Sequence, residues 1–87
     1  MRDTLKYLEQ FAQAVQEHGD LSAEVVHPAS APVYVHVRNR FSFSLFEDVT
    51  CTPDGFFLTS WEYRLGRTDN VAGAADRLAY LLAAIRA

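Results

Sequence analysis

The side chains with chemistry to offer are three histidines, one cysteine, eleven carboxylates and seven arginines. His18, His27 and His36 recur at nine-residue intervals. That spacing suits neither a helical ligand pair nor the short loops that hold zinc, so no metal site or cofactor is expected. His18 falls at the end of a helix, where a cation complements the dipole. His27 precedes Pro28 in a loop, and His36 lies on a strand. Cys51 would need a base beside it to act as a nucleophile. It is expected instead to point inward as a small buried residue. Glu47 and Asp48 are strand neighbours that point to opposite faces, so they cannot serve one substrate as acid and base. Glu47 is expected at a sheet edge in water. Ser42, Ser44 and Ser60 lack a nucleophile-elbow context. Gly19, Gly55, Gly66 and Gly73 are not spaced as a phosphate loop. No catalytic residue is therefore expected, and an enzyme would have to assemble its site across a dimer.

The elements that place these residues follow from periodicity. Leu5, Leu8, Phe11, Ala12 and Val15 repeat at helical spacing over residues 4 to 18. Asp3 or Thr4 caps that helix and Gly19 ends it. Three strands follow, Val33 to Arg38, Phe41 to Cys51 and Phe56 to Leu65, each rich in β-branched or aromatic residues. Leu21 to His27 is an optional short strand after the first helix. Val71, Ala74, Ala75, Leu78, Leu81, Leu82 and Ile85 form the apolar stripe of a last helix, Asn70 to Arg86, with Thr68 or Asp69 as its cap. The reading is a single α+β domain over residues 1–87, in the order α-β-β-β-α. Both helices lie on one face of an antiparallel sheet.

Turn chemistry sets the register. Thr52-Pro53-Asp54-Gly55 suits a type I turn closed by a glycine bulge. Thr52 then meets Phe56, Cys51 meets Phe57, Val49 meets Thr59 and Glu47 meets Trp61. Continuing the ladder pairs Leu45 with Tyr63 and Phe43 with Leu65. A three-residue loop at Arg38-Asn39-Arg40 pairs Val37 with Phe41, Val35 with Phe43 and Val33 with Leu45. Asn39 there takes an unusual backbone angle. The inner face collects Phe43, Leu45, Val49, Phe57, Trp61, Tyr63 and Leu65, with Trp61 and Tyr63 as core aromatics. The outer face is mostly polar. Tyr34, Phe46 and Leu58 interrupt it, and with His36 they form a candidate protein-contact face.

The same register gathers Arg38, Arg40, Arg64 and Arg67 at one end of the sheet, with Asn39 between the first two. The start of the last helix lies near them, and its free amides attract anions. The order of helix, three strands and helix is similar to that of double-stranded RNA-binding domains. That resemblance implies RNA contacts at Arg38-Asn39-Arg40 and at Arg67 to Val71. The family's lysine-rich start to the last helix is replaced here by Thr68-Asp69-Asn70-Val71-Ala72. A formal charge of −3 also disfavours nucleic acid and anionic membranes.

A chain of 87 residues with one cysteine has no internal disulfide to support a small core. Self-association is one remaining route to stability. The expectation is a non-catalytic interaction module, most simply a homodimer acting as a small adaptor or regulatory protein. No secretory leader or membrane span is read, so the cytoplasm is the expected location.

Overall fold

The computed structural model describes residues 3–83. Seven elements follow one another: α1 (Asp3–Gln16), β1 (Leu21–Val26), β2 (Tyr34–Asn39), β3 (Ser42–Cys51), β4 (Phe56–Thr59), β5 (Arg64–Arg67) and α2 (Val71–Ala83). The optional strand is real, and it forms an edge. The sheet is an antiparallel meander in the order β1-β2-β3-β4-β5. α1 lies over β1 to β3, α2 packs along β5, and the helices touch each other.

The core sits between the sheet and this helical layer. Leu8, Phe11, Ala12 and Val15 of α1 meet Leu21, Val35, Val37, Val49, Phe57 and Leu65 of the sheet. Ala74, Ala75, Leu78 and Leu82 of α2 close it. Phe11 and Phe57 stack with ring centroids 4.7 Å apart. Small residues set the approach of α2, since a Cβ added at Gly66 would come within 3.3 Å of the Ala74 Cβ. Ile85 of the expected apolar stripe and Arg86, the expected end of the last helix, lie outside the described residues.

The Thr52–Gly55 turn behaves as its residues dictate. Gly55 takes φ +93°, and Thr52 N–H donates to the Phe56 carbonyl. Cys51 pairs with Phe57 and Val49 with Thr59. Beyond Thr59 the expected ladder stops. The stretch Phe56 to Leu65 is two strands, not one, because the chain reverses through Ser60-Trp61-Glu62-Tyr63. Thr59 N–H donates to the Tyr63 carbonyl and Glu62 N–H to the Thr59 carbonyl. Glu47–Trp61, Leu45–Tyr63 and Phe43–Leu65 are therefore not strand pairs.

The β2–β3 register also differs from expectation. Val35 pairs with Val49, Val37 with Glu47 and Arg38 with Phe46, and a bulge separates these from Asn39–Ser42. From Val35 to Arg38 the shift from the expected pairing is an even number of residues, so these side chains and their partners keep their faces. Asn39 has no unusual angle. It is buried, accepts from Phe41 N–H at 2.8 Å and donates to the Leu82 carbonyl at 3.4 Å. Among the described non-glycine residues the positive φ belongs to Glu62, at 66°. The cap of α2 is Asn70 rather than Thr68 or Asp69. Its Oδ1 accepts from Gly73 N–H at 3.2 Å.

One hydrogen bond fixes the phase of the β1 edge. Arg40 N–H donates to the Asp20 carbonyl, so in this ladder Ser22, Glu24 and Val26 face β2 with their polar groups. Leu21, Ala23 and Val25 turn theirs to the open edge. The Gln16 amide of α1 covers one of them, donating to the Ala23 carbonyl at 2.7 Å.

Candidate functional site

Among the described residues no layer covers the face of the sheet away from the helices. The register places Ser22, Glu24 and Val26 of β1 beside Arg38, His36 and Tyr34 of β2. Phe46 of β3 stands opposite Arg38, and Asp48 opposite His36. Thr50 lies beside Leu58, and Leu58 beside Arg64. The four residues expected to form a contact face, Tyr34, His36, Phe46 and Leu58, thus do share one face. Phe46 is 53 % exposed.

Two local interactions order that face. His36 Nδ1 lies 2.7 Å from Asp48 Oδ1, and the His36 ring tilts against Phe46 with centroids 5.8 Å apart. A histidine held by a carboxylate is half of a nucleophilic relay. Among the described residues no hydroxyl or thiol bonds to His36. His18 is likewise taken by Asp76 of α2, at 2.9 Å, and His27 is exposed in its loop. Among the described residues no three His, Cys, Asp or Glu side chains are grouped to hold a metal ion. None of the described helices is long and apolar enough to cross a membrane.

The arginines separate into two pairs. Arg38 stands at the level of Phe46, with Arg40 in the turn beyond it. Arg64 pairs with Leu58 and Arg67 with Phe56, and Phe56 bonds to Thr52 at the far end of β3. The stretch from Phe46 to Thr52 spans roughly 20 Å of strand. The expected gathering at one end rested on the continuous Phe56–Leu65 strand and fails with it. The second pair instead flanks one ring: the Arg64 and Arg67 guanidinium carbons lie 4.6 and 5.7 Å from the Phe56 centroid. Arg67 also bonds to Asp69. Asn39, expected among the anion contacts, spends its amide inside the fold.

Cys51 is half-buried and lines a cleft of about 530 Å³ with Tyr7, Thr52, Asp54 and Thr68 among its walls. Burial pushes the Cys51 thiol above its usual value, which keeps it protonated and unreactive. On the same turn, a hydrogen bond from Thr52 holds the Asp54 carboxyl below its usual value. Its own backbone amide and Arg64 assist.

No family model, curated protein or solved structure matches this chain.

A second constellation was not legible in the sequence. Glu47 is 8 % exposed rather than in water. Its carboxylate accepts from Ser60 N–H at 2.7 Å, Trp61 Nε1–H at 2.8 Å and Asp48 N–H at 3.1 Å. Trp61, expected in the core, is 59 % exposed. It stacks on Tyr63 with centroids 5.1 Å apart and planes 19° from parallel. The Tyr63 hydroxyl accepts from Arg77 Nη1 at 2.7 Å. Arg77 and Tyr80 stand on the polar side of α2 at a spacing of three, which places them side by side. That spacing was the available signal. It carries weight only once the turn brings Trp61 and Tyr63 to the same place.

Proposed function

We propose that this protein is a non-catalytic interaction module that self-associates through its open sheet face. One observation carries the reading: Phe46, half exposed, stands on a sheet face that neither helix covers. Val26, Tyr34 and Leu58 add a second apolar group on the same face, at the level of Thr50 and beyond the His36–Asp48 row. A small core without a disulfide gives self-burial a thermodynamic purpose.

The charges on this face suit a second copy. A twofold axis running between β2 and β3 sets His36 against Asp48 of the second copy, and Arg38 against its Phe46. An imidazole meets a carboxylate that can accept its hydrogen bond, and a guanidinium meets a ring. Two arginine pairs at opposite ends of β3 supply no single phosphate-binding stripe, and the chain is acidic. Protein contact is therefore favoured over nucleic acid. A single free cysteine suits a reducing cytoplasm as the setting.

Light scattering on the wild type and on Phe46→Glu tests this. The expected result is a wild-type dimer and a well-folded monomeric variant. A monomeric wild type at high concentration, or a variant that still dimerises, overturns the reading.

A further inference from the structure

On the other side of the domain, an open groove of about 510 Å³ runs between the Ser60–Tyr63 turn and α2. Tyr63 lines it from the turn, and Gly73, Asp76, Arg77, Tyr80 and Leu81 line it from α2. Tyr80 is 73 % exposed. Arginine and the large aromatics are the residues that concentrate binding energy at protein contacts.

The groove is held ready. Glu47 spends a buried carboxylate on the Ser60 amide and the Trp61 indole. Trp61 in turn backs the Tyr63 wall. Glu62 accepts a left-handed backbone without being glycine, a cost that clusters where a loop is shaped for binding. A fixed wall spares a ligand the cost of ordering it.

Charge selects the occupant. Among the described residues Arg77 has no carboxylate partner, and it bonds only to the neutral Tyr63 hydroxyl. Its neighbour Asp76 is engaged by His18. A guanidinium that shares a groove with two phenol rings favours a carboxylate beside an apolar group. The groove is open along its length, whereas small-molecule sites enclose most of their ligand. We infer that it binds an extended acidic peptide segment, with an Asp or Glu on Arg77 and an adjacent apolar side chain between Tyr63 and Tyr80.

The test is selection of a random dodecapeptide library on the wild type. Affinities are then measured by the emission of Trp61, the chain's single tryptophan. The selected peptides are expected to carry Asp or Glu next to an apolar residue. Arg77→Gln should weaken them about tenfold or more, Arg77→Lys should recover part of the loss, and Tyr80→Ala should weaken them too. Both positions are exposed, so circular dichroism should show intact folds. Phe46→Glu should bind as the wild type does, which separates this groove from the open sheet face. No enrichment, peptides without acidic residues, or equal binding to Arg77→Gln overturns the proposal.

Discussion

Glu47→Gln keeps the volume of the side chain and removes its charge. Both carboxylate oxygens are in use, Oε2 by the Ser60 and Asp48 amides and Oε1 by the Trp61 indole. A glutamine has one acceptor oxygen, so its NH2 must face one of these N–H groups. One charge-assisted hydrogen bond is lost, worth ~1.5–3 kcal/mol. The half-exposed Trp61 can turn its N–H to water, which places the loss near the lower figure. At ~0.05–0.15 kcal/mol per residue the whole fold holds only ~4–13 kcal/mol. A loss of ~1.5 kcal/mol should lower Tm by ~6–12 °C in a domain of this size. Glu47→Ala, which strips all three bonds, should cost more. Urea unfolding followed by circular dichroism and by Trp61 emission gives both the stability and the state of the turn. Native Glu47→Gln should emit to the red of the wild type as the indole gains water. Stability within ~0.5 kcal/mol of wild type with unchanged emission would refute the strut role, given that net hydrogen bonds to charged groups exceed that value.

Three further outcomes follow from local geometry. Asn70→Ala deletes the α2 cap on Gly73 N–H and should cost ~1 kcal/mol in urea unfolding; no change would mean another residue caps the helix. Glu62→Gly relieves a positive φ and should leave stability equal or up to ~1 kcal/mol higher, because relief of the strained angle competes with greater freedom of the unfolded chain; a clear loss would show that the Glu62 side chain holds the turn. Burial raises the Cys51 thiol, so the folded state keeps that proton at pH values where the unfolded chain loses it. Its contribution is full below the unfolded thiol's pKa and declines as pH rises from there through the folded one. Wild type should therefore lose stability relative to Cys51→Ala over that alkaline range, and a constant difference would contradict the assignment.

The parts of the fold legible in the sequence were those fixed by local chemistry. Pro53 and Gly55 declare their turn, and three strand pairs follow from it. The helical stripes around Phe11 and Leu78 needed only their spacing. The turn at Ser60–Tyr63 has neither glycine nor proline. Its shape depends on Glu47, a residue more than ten positions away, and no local signal reports that. The β2–β3 hairpin likewise depends on Asn39 reaching the Leu82 carbonyl of α2. Faces survived the β2–β3 error because a strand alternates with period two and that register moved by an even step from Val35 to Arg38, whereas Trp61 left the core when the chain turned after Thr59. The shared face of Tyr34, His36, Phe46 and Leu58 was therefore readable, whereas the arginine gathering, which needed the true course of the chain after Thr59, was not.

The meander has a consequence for the time course of folding. Every strand pairs with its neighbour in the chain, so each ladder closes a short loop, and hairpins of this kind form in roughly 1–10 μs. The contact between α1 and α2 is different, because the whole sheet intervenes between them. Closing it orders the longest stretch of chain for the least local return. The His18–Asp76 bridge and the docking of Leu78 and Leu82 thus belong to the late events. On this topology the meeting of α1 and α2, rather than the closing of any one hairpin, is expected to limit the folding rate.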